Sequence, residues 1–474
     1  MADHEGLTNE IVQKENLRRT LDQKALENPT YQGIMAFNTV EKFVSTPDDR
    51  YVPPKFPFEL PKFDRSTPFG NEMRKHFLLD LDKWTFLNHG AFGCALEKGL
   101  ETAYKWQCYV EQQPVRFVDR EMLPLLAHVN RRLAKFVGAE PSDLVLLPNA
   151  TAAINAVIRS IDWRPGDTVY YLNTCYYTVK KLFRHLRSTY GVTLKETTIT
   201  YPATKEEILE TIKDTLEAGT RLALFGHIPS NYPVIMPVEE MVKLCHSRGI
   251  PVLIDGAHAL GTLPLDLSIL KADYYVANAH KWLACPKGCA FLHVSKEHQP
   301  MIKPLVISSG FGAGFNSQFI WTGLRDYSPY LALNTVLDFW VAMGPARIHK
   351  YNNTLANKAA TMLAQKWNTG LLSHAHMFGP MVMIRLPEVL LDCVTQGGKE
   401  EAVKAHAEMV QAKLHYEFNI EVPVKLIQGK LHTRISVHVY NELSDYEKLC
   451  EAILIITDDV LNNPAAYDSY KQYR

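Results

Sequence analysis

Residues 252–282 read VLIDGAHALGTLPLDLSILKADYYVANAHKW, and the fold turns on this stretch. VLID is a short apolar run that ends in Asp255, with the length and composition of a buried strand. DYYVANAHK (Asp273–Lys281) is a second β-rich run, ending in His280 and Lys281. The residues between them predict a helical crossover. In open α/β sheets, reactive groups gather outside the carboxyl ends of the strands. Asp255 and Lys281, 26 residues apart in the chain, are then expected at one site.

Upstream, the same logic repeats. DLVLLPNATAAINAVIRSI (Asp143–Ile161) is a strand followed by a helix that opens at Asn149-Ala150-Thr151. A helix start offers free N–H groups and the positive end of a dipole, which suit a phosphate; an ordinary Asn or Thr cap is the plainer reading. GDTVYYL then gives a strand and TVKKLFRHL a helix, with Asn173–Tyr177 between them. An aromatic ring there, Tyr176 or Tyr177, either stacks on a flat ligand or packs into the core. LALFGHI is a further strand, PSNYP its loop, and Val238–Arg248 a helix that stops at Gly249. Strand, loop and helix alternate from about 143 to 295, which predicts a mostly parallel sheet with helices on both faces.

The flanks read differently. Residues 1–80 form an extension, with helical spacing over Ile11–Leu26 and then the proline-rich YVPPKFPFELPKF. It is either an arm around a partner subunit or a tail. WTFLNHGAFG (Trp84–Gly93) is a short strand entering a glycine turn that places Asn88 and His89 near a ligand. Arg116 and Arg120, in PVRFVDRE, read as solvated or ion-paired. From about 345 a helix (Ala346–Trp367) leads into shorter strands, MVMIRLP and HTRISVHVYN. This gives a large domain over 81–345 and a smaller α+β domain over 346–474. Arg434, inside the last strand, needs an anion: a structural carboxylate or one brought by a substrate.

Composition narrows the function. Lys plus Arg and Asp plus Glu both number 51, so no net field favours nucleic acid or an anionic membrane. No apolar run reaches the about 18 to 20 residues of a membrane span. The eight cysteines show neither CxxC pairs nor metal-ligand spacing, and reduced thiols in a cytosolic protein are expected. SSGFGAGFNSQFIWTGLRDYS is not a GxGxxG opening a helix after a strand, which argues against a nicotinamide enzyme. An acid that can pair with a pyridinium nitrogen, and a lysine that can form a Schiff base, are instead what pyridoxal phosphate requires.

LNHGAFG, PNATAAINAV, DGAHALG, ANAHKW, FIWTGLRDYS and RISVHVYN together resemble fold-type I pyridoxal phosphate enzymes. More narrowly, they are similar to class V aminotransferases of the isopenicillin N epimerase-like and cysteine desulfhydrase-like group. The resemblance runs from about residue 70 to the C-terminus. It implies a seven-stranded sheet sandwiched by helices with a smaller C-terminal domain, in a homodimer with shared active sites. It makes Lys281 the Schiff-base lysine and general base, Asp255 the partner of the pyridine nitrogen, and His258 a donor to the cofactor's phenolic oxygen. The Ala150 amide, Thr151 and His280 would hold the phosphate, with Thr322 reaching it from the other subunit. Tyr176 would stack on the ring, with Tyr177 as the alternative, and Arg434, with Asn88 nearby, would bind the substrate α-carboxylate. The implied reactions are β-elimination at a sulfur-bearing amino acid, epimerisation and transamination; a cofactor-binding relative without turnover is the reading from another class. Cysteine desulfurases of this class carry an RSGxxCA-like cysteine loop, and LLDCVTQGG around Cys393 does not match it.

Overall fold

The computed structural model describes residues 37–391 and 400–463. Ile11–Leu26 and Cys393 lie outside them. Twelve strands follow in chain order: β1 (Thr85–Phe86), β2 (Leu144–Leu147), β3 (Thr168–Leu172), β4 (Thr193–Thr197), β5 (Leu222–Gly226) and β6 (Val252–Asp255). Then come β7 (Tyr274–Asn278), β8 (Ala290–Val294), β9 (Met381–Arg385), β10 (Ile420–Glu421), β11 (Val424–Ile427) and β12 (Lys430–Ser436).

The large sheet has seven strands in the order β2-β8-β7-β6-β5-β3-β4. Strands β7, β6, β5, β3 and β4 run parallel, and β8 is antiparallel to both of its neighbours. β7 and β8 are buried at every position, because helices cover both faces of the sheet. The edge strand β4 (TLKET) is polar, and Lys195 sits on it, as befits a strand that must not recruit another. Two separate apolar cores flank this sheet.

The link from β6 to β7 departs from the expected helical crossover. It is a turn series with one four-residue helix, Leu267–Leu270. Pro264 and Gly261 explain the difference. Proline breaks a helix interior, and Gly261 adopts φ 87° because a Cβ there would meet the Trp282 carbonyl carbon at 2.9 Å.

A third core gathers around helices Pro345–Lys366, Glu400–Tyr416 and Leu443–Asn462 and the antiparallel sheet β11-β12-β9. β1 belongs to this part of the molecule: it pairs in parallel with β10, Thr85 opposite Ile420, and Leu87 is buried in the third core. Residues 37–80 lie against their own chain. Val40 and Val44 of the helix Asn38–Ser45 are buried, and Arg131 donates to the carbonyls of Phe43, Val44 and Thr46 and pairs with Asp48. Phe56, Phe58 and Phe63 pack on the first core. Among the described residues no helix is long and apolar enough to cross a membrane.

Candidate active site

Strands β3, β5, β6 and β7 all end at one cavity of about 220 Å³. The continuous apolar runs are held in the sheet, and residues at or shortly after their carboxyl ends line the cavity. Asp255 ends β6 and Ala257 and His258 follow it, His280 and Lys281 follow β7, and Cys175 and Tyr176 follow β3. Ala150 and Thr151 come from the helix start after β2. Seven of the ten expected site residues therefore line one space.

Lys281 is buried, and desolvation lowers its amino group to about 8 against the pull of Asp255; Arg434 adds to the lowering. Its Nζ lies 3.2 Å from Nε2 of His258. The indole N–H of Trp282 donates to Nδ1 of His258 at 3.3 Å. That bond assigns the imidazole proton to Nε2, so His258 presents a donor to the lysine side. Desolvation, then Lys281, Arg434 and His89, hold His258 well below its ordinary pKa, so it is neutral. Burial raises Asp255, opposed by the N–H of Ala257, which donates to Oδ1 at 3.0 Å, and by Lys281.

The backbone of the lysine loop is clamped from the other half of the molecule. Nε2–H of His89 donates to the Lys281 carbonyl at 3.0 Å and Nε2–H of His438 to the Trp282 carbonyl at 3.1 Å. The two imidazoles stack at 4.1 Å. Gly93 passes so close that a Cβ would fall 2.6 Å from the Lys281 Cα.

At the phosphate end the geometry differs from the expected one. The Ala150 N–H donates to Oδ1 of Asn278 at 2.9 Å, so its hydrogen is already engaged. Asn149 Oδ1 caps Ala152 N–H at 2.8 Å, which leaves the Asn149 reading a cap and Thr151 exposed at the rim. His280 donates Nδ1–H to the Cys289 carbonyl at 2.9 Å, and burial lowers it to about 4. Its Nε2 is therefore an acceptor, and becomes a donor only when an adjacent anion favours the imidazolium. Tyr176 lines the cavity and Tyr177 does not, which separates the two stacking candidates. Thr322 does not line the cavity of its own chain.

Arg434 is buried in β12, one residue behind the cavity wall. Nη1 donates to the carbonyl and hydroxyl oxygens of Ser230, a wall residue, at 2.7 and 3.0 Å. Nη2 donates to Oδ1 of Asn88 at 2.9 Å. Nε has no partner among the described residues, and no carboxylate lies in ion-pair range. Burial lowers even this guanidinium to about 10. The structural-carboxylate reading of Arg434 is thereby set aside. Arg116 does pair with a carboxylate, Glu121, at 3.0 Å.

Sequence reasoning passed over Asn278, Trp282, Ser230 and His438. Asn278 and Trp282 stand inside the quoted ANAHKW run, and a polar residue ending a fully buried strand was a usable signal. Ser230 and His438 carry no local signal, since only the tertiary fold brings them to Arg434 and to the lysine loop.

The residues fit pyridoxal phosphate. An acid able to pair with a ring nitrogen, a lysine with depressed pKa and a neutral imidazole donor line the same space, and an aromatic side chain borders it. Fold and site together define a fold-type I pyridoxal phosphate enzyme. Within that class the chain belongs to the class-V aminotransferase family, whose sequence pattern matches residues 118–449. It is 33% identical over 412 residues to an L-cysteine desulfhydrase of Arabidopsis thaliana, covering 79% of this chain and 88% of that one. It is 27% identical over 407 residues to isopenicillin N epimerase of Streptomyces clavuligerus, covering 82% and 98%. A solved structure of a C-DES variant, with glycine covalently linked to its PLP cofactor, superposes with a TM-score of 0.68 at 19% identity, covering 80% of this chain and 98% of that one.

Proposed function

We propose that this chain cleaves the Cβ–S bond of a sulfur-containing amino acid by β-elimination, as a pyridoxal phosphate-dependent C–S lyase. The observation that carries the reading is the pairing of a base with a carboxylate grip in one site. Lys281 has an amino group lowered to about 8, so that much more of it is neutral near physiological pH than for an ordinary lysine, and Arg434 has a buried charge without a counter-ion among the described residues. Such a charge is costly to leave unpaired, and an α-carboxylate supplies its partner. Pyridoxal phosphate, when bound, withdraws electrons and makes the Cα hydrogen acidic.

The chain's own residues do the rest. Asp255 holds its charge against the ring nitrogen. His258 directs Nε2–H at the phenolic oxygen, and Tyr176 covers the ring. Thr151 and an imidazolium at His280 hold the phosphate, joined by Thr322 from a partner subunit. The exposed Leu324 and the exposed run Leu305–Ile307 support a homodimer, since apolar side chains this open invite cover. Lys281 takes the Cα proton, the C–S bond breaks with the sulfur keeping the electron pair, and water releases pyruvate and ammonia beside the thiol. Elimination is favoured over epimerisation because Cys175, a thiol on the cavity wall, is pushed up by burial and does not serve as a second base. The similarity to an L-cysteine desulfhydrase supports the same choice. Seven free cysteines among the described residues support a reducing compartment such as the cytosol.

Incubation of the holoenzyme with cysteine, cysteine S-conjugates and their sulfoxides tests the reading. Release of pyruvate and a sulfur product in equal amounts is expected. Deuterium entering Cα with inversion and without pyruvate would instead establish an epimerase, the reading favoured by the second relative. A keto acid formed along with an aminated cofactor would establish a transaminase.

A further inference from the structure

The side chain of Asn88 has two unlike ends, and its orientation decides whether Arg434 is held or repelled. Its Oδ1 accepts from Arg434 and its Nδ2 donates to Oε1 of Glu421 at 3.1 Å. Turned by half a rotation, the amide would aim its own N–H groups at a guanidinium that has donors only. Glu421 prevents this. A carboxylate only accepts, so it receives the Nδ2 end and leaves the oxygen facing Arg434.

Glu421 is itself fixed twice. It stands in β10 directly across the ladder from Phe86, two residues before Asn88. Its Oε2 pairs with Nδ1 of His415 at 2.9 Å. The acid is thus close enough to orient the amide, while among the described residues it forms no ion pair with Arg434. With Asn88 interposed, the guanidinium keeps Nε free, and Nε and Nη2 form the side-on fork that fits the two oxygens of a carboxylate.

We propose that Glu421 is a positioning residue for substrate recognition: it sets the amide of Asn88 so that Arg434 is anchored behind the wall while its Nε–H keeps no protein acceptor among the described residues and can be taken by the α-carboxylate. This rests on the carboxylate reading of Arg434 given above. Glu421 touches neither substrate nor cofactor, and its effect falls on binding of the carboxylate rather than on the proton transfer at Lys281.

The test uses holoenzyme and two probes, glycine and methylamine, which differ by the carboxylate, with binding followed by the cofactor's visible spectrum. Glu421→Leu is expected to weaken glycine about ten- to hundredfold and to leave methylamine unchanged. Glu421→Gln, which keeps an acceptor for Nδ2, is expected to restore most of the loss. With a turnover substrate, KM rises in Glu421→Leu and kcat holds. Equal weakening of both probes would show a structural role and overturn the proposal, as would a Glu421→Gln variant as weak as Glu421→Leu. Arg434→Lys separates the two levels of the argument. If it loses glycine selectively while Glu421→Leu binds both probes normally, the positioning role fails and the carboxylate reading stands. If Arg434→Lys also treats both probes alike, the carboxylate reading fails and takes the positioning role with it.

Discussion

Nζ of Lys281 and Nε2 of His258 lie 3.2 Å apart, and the imidazole's proton is on the nitrogen that faces the lysine. A protonated amine has no lone pair for that N–H to meet, whereas a neutral one does. The Trp282 indole therefore favours, through His258, the form of Lys281 able to attack an aldehyde or accept a proton. Burial works in the same direction.

The first prediction concerns pH. Desolvation, reinforced by Arg434 and opposed by Asp255, lowers Lys281 to about 8, so its neutral form accumulates above that pH and is lost below it. The rate at which cofactor-free protein takes up pyridoxal phosphate is expected to climb through pH about 8, and Lys281→Ala should never develop the visible absorbance of the lysine-bound cofactor. Stopped-flow absorbance across pH 6–11 checks this, and a midpoint at the ordinary lysine value of about 10.4 would contradict it.

Arg434→Lys keeps the charge but not the planar fork. The KM for the amino acid is expected to rise about ten- to hundredfold, with cofactor uptake unchanged. Steady-state kinetics beside a cofactor titration distinguish this from a general collapse of the site.

Gly93→Ala places a methyl group 2.3 Å from the His280 carbonyl oxygen and imposes φ 69° on a residue with a side chain. The lysine loop must move. We expect a loss of at least about 1–2 kcal/mol in stability together with weaker cofactor retention. Thermal unfolding and dialysis of the holoenzyme measure the two effects, and a fully retained cofactor would show that the close approach is not needed.

Asp273, at the opposite end of the sheet, receives Nε2–H of His246 and His298 at 2.9 and 3.0 Å and the Val252 N–H at 2.7 Å. Burial pushes its carboxyl up, but the bonds from His298, His246 and Val252 outweigh that and bring it below the usual range. A carboxyl lowered in the folded state stabilises the fold above its unfolded pKa and loses that contribution as pH falls through the folded one. Asp273→Asn is thus expected to cost about 1–3 kcal/mol at neutral pH, with the gap to wild type closing below pH about 4. Denaturant midpoints at both pH values decide it.

The parallel sheet and its rim were legible because apolar runs ending in a polar residue state both where a strand stops and which way it points. Asp255 and Lys281 followed from that alone, whereas His258 came from the family resemblance. The link after Asp255 is not the expected helical crossover, since Pro264 and Gly261 interrupt it and leave one four-residue helix. The free N–H assumed at Ala150 was hidden by Asn278, whose side chain reaches across from β7. Ser230 stands 204 residues from Arg434, and no local pattern carries information over that separation.

The ladder between β1 and β10 has a mechanical consequence. The chain leaves the smaller sheet at Phe86, touches Arg434 through Asn88, hydrogen-bonds the Lys281 carbonyl through His89 and presses on Lys281 Cα at Gly93. The grip on Arg434 and the clamp on the Lys281 backbone are thus carried by one continuous stretch of chain, residues 86–93.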